Sequence, residues 1–527
     1  MKKLQILTVA ILLGLLVTSC IRPTSDIGSD NLNDKTIDPT LLLTLLDARK
    51  KEHADTELII SYPYQDSIFP PEIASPQVTW VDVEKKNNRW LIAVTFTNNS
   101  SPIYSISSKN QWEIENHIWE TIKSRGATGS IQLNIYGFNS TSPEYILSTG
   151  MVSFGIAPTG VEAAILYRQV PLPFPIKNIE QMKWRLGDIA SYQQPKIILQ
   201  GLKFCASCHT SSADGKYLSM EMNYGNDPGA QFIAPVNKKL TLSQEDFFSW
   251  NDVSRPGILP LSRGLFGRMS PHANYALATV NEISLALLTN DSAFSQVFFP
   301  TYGILGYYSV ATKSFAPLAG ADNFDYVHAN PDWSPDESHV VFARAKTKNQ
   351  VHDNIMDVSP KFKDEDIHSL NQRYNIQFDL YRIPFNNGAG GQATPLEGAN
   401  SNTMSNYFPR HSPDGKWIVF TQSKTGIMLQ PDSKLFIIPA SGGTGREMRC
   451  NRKLFNSWHS WSPNSRWLLF SSKVNTPFTE IFLTYVDENG KDYPPVLLHR
   501  FSDKKYAANV PEFVNFSAND IDLITIK

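Results

Sequence analysis

Between residues 38 and 190, hydrophobic and polar positions mostly alternate, which is the pattern of half-buried β-strands. In the two clearest runs every second residue is apolar: Trp90, Ile92, Val94 and Phe96, then Ile131, Leu133 and Ile135. The segment between them, residues 111–123, predicts one short helix, because its isoleucines lie four apart at Ile114, Ile118 and Ile122. We therefore predict a β-sandwich-like domain over residues 38–192, ending in an extended linker.

After residue 193 one short pattern returns along the chain. An aromatic residue or His precedes a Ser-Pro-Asp-Gly-Lys-like turn, and an apolar strand ending in Phe follows in the clearest copies. The six copies, three of them weak, begin at Ser212, Ser270, Ser334, Ser412, Ser462 and Ser517. Pro and Asp favour the first turn positions and Gly the left-handed one, so each copy predicts a β-hairpin. A repeat of this kind predicts a six-bladed β-propeller over residues 193–527.

The hairpin followed by an apolar strand resembles the propeller repeat of TolB-type proteins. Two returning strands, residues 379–384 and 434–439, each precede a glycine-rich turn and strengthen the likeness. The resemblance implies the fold over residues 193–527. It implies little about activity, since propellers host many unrelated functions, and the envelope partners of the TolB family are not carried over. The chain departs from that family in two features, a lipobox and a C-x-x-C-H motif.

The first feature lies at the N-terminus. A short basic start precedes an apolar run from Leu4 to Val17, which is too short for a membrane-spanning helix. Val17-Thr18-Ser19-Cys20 resembles a lipobox, in which the cysteine of a bacterial lipoprotein is lipidated. Residues 1–20 are thus predicted to be a lipoprotein signal peptide and residues 21–37 a polar tether; an ordinary secretory peptide is the alternative. We expect a cell-envelope protein anchored to the membrane through its lipid, and without Asp after Cys20 the outer membrane is favoured.

Composition excludes some classes of function. The chain has 527 residues, of which 41% are hydrophobic, and this permits two or three domains with sizeable cores. Its net charge of −2 gives no reason to expect nucleic acid as a partner. Only four cysteines occur, so no disulfide framework is expected. Cys450 stands alone and is predicted to be a small buried residue.

The second feature is Cys205-Ala206-Ser207-Cys208-His209. In a C-x-x-C-H motif two thiols add to the vinyl groups of haem and the His ligates the iron. We therefore predict haem c bound covalently at Cys205 and Cys208, with His209 as the proximal ligand. The predicted export supports this, because haem is attached outside the cytoplasm. A redox or structural disulfide, half of a metal site, and coincidence are the alternatives.

The motif ends three residues before the first repeat, so it belongs to the first blade and not to a separate helical cytochrome domain. A Met as second axial ligand would suit electron transfer, and an open position would suit peroxide or small ligands. The candidates, in order of preference, are Met269, Met220, Met222 and His272. Candidate partners for a haem propionate are Arg263 and Arg268. Core packing is the alternative role of each methionine.

Three functions from different classes follow. The first is a c-type cytochrome on a propeller scaffold, which transfers electrons to a redox partner protein or senses redox state. The second is a haem-dependent oxidoreductase or peroxidase whose substrate enters the central channel. The third is a binding or assembly lipoprotein without haem, in which the cysteine pair is structural. No Ser-His-Asp arrangement, phosphate loop or carboxylate pair stands out in the sequence, so hydrolase chemistry is not supported.

Overall fold

The computed structural model describes residues 37–51, 56–172, 179–253, 261–288, 296–347 and 375–527, with Phe294 and Gln372, but not the side chains of 285–288 and 296–297. The predicted signal peptide, the lipobox with Cys20 and nearly all of the tether lie outside the described residues. Within them the chain is mainly β, with an N-terminal domain and a six-bladed propeller, as predicted. None of the described helices has the length and hydrophobicity that crossing a bilayer requires.

Two sheets and two helices form the N-terminal domain. In chain order they are α1 (Pro39–Ala48), β1 (Thr56–Glu57), β2 (Ile59–Tyr62), β3 (Ser67–Phe69), β4 (Gln77–Val81), β5 (Arg89–Phe96), β6 (Ile103–Ser107), β7 (Gln111–Glu113), α2 (Asn116–Gly126), β8 (Ile131–Phe138) and β9 (Ile146–Ile156). One sheet has the order β1-β9-β8-β5-β6, with β3 beside β9, and the other has the order β2-β4-β7. The resulting core includes Phe69, Trp119 and Phe154.

Helix α1 was not predicted, and it changes the environment of β5. The Oδ1 atom of Asp38 accepts the Thr40 N–H at 3.1 Å, and Pro39 at the start of the helix has no N–H to satisfy. The leucines of α1 then cover Leu91 and Ala93, so β5 is buried on both faces and not half-buried as predicted. Helix α2 starts at Asn116, later than the predicted 111, because residues 111–113 pair with β4.

Six blades of four strands each form the propeller, and blades 2 and 3 belong to one eight-stranded sheet that is joined where Gly303 pairs with Val327. Blade 6 contains β10 (Ala164–Pro171), β11 (Lys183–Gly187) and β12 (Lys196–Gln200). Blade 1 contains β13 (Ala206–Ser211), β14 (Tyr217–Tyr224), β15 (Asp227–Pro235) and β17 (Phe247–Ser249), and β16 (Lys239–Leu242) lies outside it. Blade 2 contains β18 (Leu265–Met269), β19 (Tyr275–Leu288), β20 (Gln296–Ser309) and β21 (Ser314–Pro317). Blade 3 contains β22 (Tyr326–Trp333), β23 (His339–Lys346), β24 (Asp379–Pro384) and β25 (Thr394–Pro395). Blade 4 contains β26 (Ser405–His411), β27 (Trp417–Ser423), β28 (Lys434–Pro439) and β29 (Arg446–Glu447). Blade 5 contains β30 (Asn456–Trp461), β31 (Trp467–Ser472), β32 (Glu480–Tyr485) and β33 (Val496–Leu497). The innermost strand of blade 6 is β34 (Tyr506–Val514), and β35 (Leu523–Ile526) ends the chain.

The ring closes differently from the prediction. Strand β34 pairs with β10 in the order β12-β11-β10-β34, so the two ends of the propeller complete blade 6 together. The propeller therefore begins at Ala164, and residues 164–192 are not part of a sandwich domain or linker. Because Ser517 lies only 10 residues from the C-terminus, the sequence predicts that residues 521–526 close the ring beside residues 196–199. Instead, the last strand, β35, pairs in parallel with β16. The copy of the repeat assigned to Ser517 also lies too late, because the residue of blade 6 that corresponds to the turn serine is Val514.

The repeat is explained by hydrogen bonds in the turn. The Oγ atom of Ser412 accepts the Trp417 N–H at 3.0 Å and donates to Asp414 at 2.6 Å. The turns that begin at Ser212, Ser334 and Ser462 make the same pair of bonds. Ser and Asp (or Asn) thus satisfy the polar groups of each hairpin locally, which is why these residue types recur.

A candidate ligand-binding funnel in the propeller channel

The repeat brings one side chain per blade to the same level of the central channel. Two residues before the turn serine, or before Val514 in blade 6, the innermost strand presents a side chain to the channel. We call this set the channel ring, and it consists of Thr210, Arg268, Asp332, Arg410, Ser460 and Glu512. Four of the six are charged, so the channel concentrates ionisable groups that a core would normally exclude.

The channel ring forms the floor of a cavity of about 350 Å³, which opens among the hairpin turns. We call this cavity the funnel. Its wall is formed by the residues that follow the channel ring: Ser211, Met269, Trp333, His411, Trp461 and Phe513. Its rim is formed by Ala213, Pro271, Pro335, Pro413, Pro463 and Asn515. A concave pocket with aromatic walls and a few convergent polar groups is the usual form of a small-molecule site.

The floor of the funnel is an ion network with one well-paired arginine. Arg268 Nη1 lies 2.6 Å from Glu512 Oε1, and Arg268 Nε lies 3.7 Å from Asp332. The backbone N–H and Nδ1 of His411 both bond to Asp332 Oδ2, at 2.8 and 3.0 Å. Burial opposes ionisation of Asp332, but the bond from His411 and the charges of the two arginines hold its pKa below the ordinary value.

Arg410 is less well paired. Its guanidinium nitrogens lie 3.7 Å from Asp332 and 3.9 Å from Glu512, beyond hydrogen-bond distance. Its Nη1 donates to the carbonyl of Pro409 at 3.0 Å, and its buried Nε has no partner among the described residues. Burial and the charge of Arg268 lower the pKa of Arg410. A carboxylate in the funnel would supply the charge-assisted hydrogen bonds that Arg410 lacks.

The walls and rim of the funnel are fixed by bonds between blades. Trp333 Nε1 donates to the carbonyl of Arg268 at 3.1 Å, and Trp461 Nε1 donates to that of Arg410 at 3.2 Å. At the rim, the Ala213 N–H donates to the Pro271 carbonyl at 2.7 Å. The indole rings therefore have fixed positions before any ligand arrives, which lowers the entropy cost of binding.

Below the floor a narrow waist, apolar except for Asn330, closes the channel. Its residues lie four positions before the turn serine: Cys208, Phe266, Asn330, Phe408, Trp458 and Val510. In every blade except blade 1, this residue has a positive φ, between 50° and 59°, at a bulge that directs the strand. The rings of Phe266 and Phe408 are 5.1 Å apart, and the space left at the waist is about 20 Å³. The funnel is therefore a dead end.

The structure places the C-x-x-C-H motif at the start of β13, the innermost strand of blade 1, and separates its three functional side chains. Cys205 packs with the apolar cluster of blade 1, near Phe204 and Tyr224. Cys208 lines the waist, where burial and the nearby Glu221 raise the pKa of its thiol to about 12. His209 is 1% exposed and lies between blades. The cysteines are free, and Cys450 is buried, as predicted.

His209 has a counterpart in blade 5 with the same role. His209 Nε2 donates to the Leu166 carbonyl at 3.0 Å, and His459 Nε2 donates to the Val419 carbonyl at 2.9 Å. Both acceptors lie on the second strand of the preceding blade, β10 or β27, and both histidines lie three residues before a turn serine. His209 is thus an inter-blade hydrogen-bond donor, and no cysteine pair precedes His459.

This arrangement does not fit a haem. The Nε2 atom of His209 is used by Leu166, and the cavity next to Cys208, about 20 Å³, is far below the roughly 300 Å³ at which ligand pockets begin.

The candidate axial ligands and propionate partners have other surroundings. Met269 lines the funnel, whereas His209 does not. Met220 and Met222 lie in the core of blade 1. His272 lies at the exposed rim, with Nδ1 3.1 Å from Glu337. The backbone N–H of Arg263 bonds to Glu282 at 2.5 Å, and Arg268 pairs with Glu512. Each contact is explained without haem.

Sequence reasoning missed most of the channel ring. Arg268 was considered only as a propionate partner, and Asp332, Arg410 and Glu512 were not considered. The signal was available: when the copies of the repeat are aligned on their serine, the position two residues earlier is charged in three blades. Glu512 could not be found in this way, because blade 6 has Val514 in place of the serine.

No protein-family model matches the chain, and no curated protein matches it. Among solved structures, the chain is similar to TolB from Acinetobacter baumannii, with a TM-score of 0.41 and 14% identity over 87% of this chain and 99% of that one. It is also similar to a protein described as TolB from Agrobacterium tumefaciens (TM-score 0.35, 15% identity, 64% and 88% covered). A third is hydrazine synthase from Kuenenia stuttgartiensis (0.32, 13%, 67% and 91%). Neither fold nor function is inferred from these distant likenesses.

Proposed function

We propose that the chain is a binding protein of the bacterial cell envelope, whose propeller takes a small ligand into the funnel. The observation that carries this proposal is a dead-end cavity of about 350 Å³ with fixed aromatic walls and an ion network at its floor. A dead end favours retention of a ligand over its passage through the channel. The aromatic side chains supply contact area and the ions supply orientation.

Binding is favoured over catalysis because the polar groups of the floor hold the blades together. Thr210 Oγ1 accepts the Met269 N–H at 3.4 Å, and Ser460 Oγ accepts the Phe513 N–H at 3.1 Å. Although the His411–Asp332 pair resembles half of a catalytic triad, the Nε2 atom of His411 has no described hydroxyl or thiol as partner. The floor thus contains no activated nucleophile among the described residues.

The location is proposed from the N-terminal sequence. Val17-Thr18-Ser19-Cys20 supports lipidation of Cys20 and anchoring to the outer membrane, with the propeller carried on the tether. Replacement of Cys20 by Ala should release the protein from membranes. Continued fractionation of this variant with membranes would contradict the anchor.

Ser211→Trp tests the funnel directly. Ser211 occupies the wall position that holds Trp333, Trp461 and Phe513 in other blades, so blade 1 should accept an indole there, and that indole would fill part of the funnel. Wild type and variant are screened by thermal unfolding against small polar metabolites. A true ligand should stabilise wild type, by about 2.7 kcal/mol at 100 times its Kd, and should stabilise the variant much less. Equal stabilisation of both proteins, or of neither by any compound, would contradict the proposal.

Haem attachment is the alternative, and it is supported by the C-x-x-C-H sequence together with the predicted export. If haem is attached, protein co-expressed with an attachment system should give a pyridine haemochrome spectrum, and Cys208→Ser should remove most of the covalent haem. The geometry leads us to expect the opposite. Purified protein should lack the spectrum, and after denaturation Cys205, Cys208 and Cys450 should all be alkylated. A haem stoichiometry near one would overturn the assignment of His209 as a structural residue.

A further inference from the structure

We propose that the ligand of the funnel is a small organic molecule, or the end of a flexible chain, that presents a carboxylate to Arg410. This inference rests on the proposed function and adds the chemical class of the ligand. It follows from one arginine without a carboxylate at hydrogen-bond distance, one imidazole nitrogen without a hydrogen-bond partner among the described residues, and the shape of the wall.

The cation is Arg410. Of the two arginines at the floor, Arg268 has a carboxylate oxygen at 2.6 Å, whereas the nearest carboxylate oxygen to Arg410 is at 3.7 Å. The Arg410 side chain is 14% exposed, so most of its hydration is lost while its Nε lacks a partner. A buried guanidinium binds a carboxylate through two parallel N–H···O bonds better than it binds a neutral group. The funnel is the open space from which such a group can arrive.

The acceptor is His411. Because Asp332 Oδ2 accepts the hydrogen bond from Nδ1, the neutral imidazole carries its proton on Nδ1, and Nε2 has a free lone pair. The side chain is 2% exposed, lines the funnel, and its Nε2 has no partner in the described part of the chain. A ligand O–H or N–H close to the carboxylate would satisfy it. Hydroxy acids, sugar acids and the C-terminus of a peptide all carry this combination.

The wall argues for an organic ligand over an inorganic anion. Trp333, Trp461, Met269 and Phe513 line the funnel and supply apolar contact that phosphate or sulfate cannot use. A volume of about 350 Å³ also lies at the low end of small-molecule pockets. A sugar acid or the end of a short peptide is small enough to enter it.

Two matched pairs of probes test the class and distinguish its sources. The first pair is D-glucuronate and D-glucose, and the second is acetyl-Gly-Gly-Phe with a free or an amidated C-terminus. Binding to full-length wild type is measured by calorimetry and by the fluorescence of the wall tryptophans. We expect at least one acid to bind about tenfold or more tightly than its neutral partner, the usual difference for a charge-assisted bond. The pair that responds identifies the source.

Variants then assign the effect to Arg410. Arg410→Met should lose about tenfold in affinity for the acid and little for the neutral partner, and Arg410→Lys should lose less. The control is Arg382→Gln, since Arg382 donates to the Ala440 carbonyl outside the funnel. If Arg410→Met does not fold, the comparison of acid with neutral probe on wild type still decides.

The outcomes separate the two proposals. If glucose or the amidated peptide binds as tightly as its acid, and Ser211→Trp blocks it, the funnel is a binding site but the carboxylate class is wrong. If a bound acid is unaffected by Arg410→Met, Arg410 is not its partner, and this inference also fails. If neither member of either pair binds, the carboxylate inference is overturned. The proposed binding function of the funnel would still be supported by any metabolite that stabilises wild type and not Ser211→Trp.

Discussion

At the scale of single residues, the repeat decides what a side chain does more than the local motif does. His209 completes a C-x-x-C-H sequence, yet its position three residues before a turn serine gives it the environment of His459. The sequence is compatible with both roles for His209, a haem ligand and a hydrogen-bond donor between blades. Only the position of the preceding blade, which brings the Leu166 carbonyl within 3.0 Å of His209, distinguishes between them.

His209→Ala and His459→Ala should therefore have similar effects. Each leaves a buried carbonyl without its donor, so each should lower the free energy of unfolding by about 1–3 kcal/mol, and more where a cavity remains. Urea denaturation measures the change. His272→Ala, on the exposed rim, is the control and should change little. If His209→Ala is neutral while His459→Ala is destabilising, the two histidines do not share a role.

At the scale of elements, alternation predicted strands well but did not show to which sheet they belong. Strands β10 and β11 were placed in the N-terminal domain because they precede residue 193, where the repeat was predicted to begin. They belong to blade 6 because β34 returns to pair with β10 over residues 164–171. Pairing between the two ends of a propeller is not encoded in a local pattern. The channel ring likewise required six separate strands to be brought together.

Truncation tests this boundary. A chain starting at residue 193 lacks β10 and β11 of blade 6 and exposes the long edge of β34, so it should aggregate or bind a hydrophobic dye. A chain starting at residue 37 keeps both domains and is the control; it should give the far-ultraviolet circular dichroism and melting temperature of the mature protein. A soluble, cooperatively folded fragment 193–527 would contradict the role of β10 and β11 in closing the ring.

At the scale of the whole molecule, buried ionisable groups should set an optimum of stability near pH 6.5. Burial lowers the pKa of five histidines, to about 3 for His459 and about 4 for His209, His328, His339 and His499. Between about pH 6.5 and 4 the unfolded chain binds more protons at these residues, so stability falls as the pH falls. Burial raises the pKa of Glu221 to about 8 and of Glu282 to about 7. The folded chain therefore binds more protons at these carboxyls than the unfolded chain does, so their contribution to the stability of the fold falls as the pH rises.

Between about pH 4.5 and 6.5 the five histidines and the two carboxyls change stability in opposite directions, and the histidines have the larger effect because there are more of them. Above about pH 6.5 the decrease caused by the two carboxyls dominates. The free energy of unfolding should thus be higher at pH 6.5 than at pH 5 or pH 8, as measured by urea denaturation in one buffer of constant ionic strength. Glu221→Gln should flatten the decrease above pH 6.5. Stability that rises steadily from pH 6.5 to 8 would contradict the raised pKa of the two carboxyls.

The N-terminal domain and the propeller share one core, and this predicts that they unfold together. Phe69 and Trp119 of the first belong to the same apolar cluster as Trp467 and Phe513 of the second. Polar bonds tie the same surfaces, such as that from the Leu497 N–H to Tyr62 Oη, at 3.1 Å. Domains within a chain usually meet over a smaller and more polar interface, which lets them unfold separately.

Calorimetry should therefore show one transition, with equal calorimetric and van't Hoff enthalpies. Tyr62→Phe removes the acceptor of the Leu497 N–H and should lower the melting temperature of that single transition, at a cost of about 1 kcal/mol, without splitting it. Tyr145→Phe, at a side chain 63% exposed, is the matched control and should leave it unchanged. Two resolved transitions in wild type would show that the shared cluster does not couple the domains. In that case the tether and N-terminal domain would move relative to the funnel, and ligand binding would stabilise only the transition of the propeller.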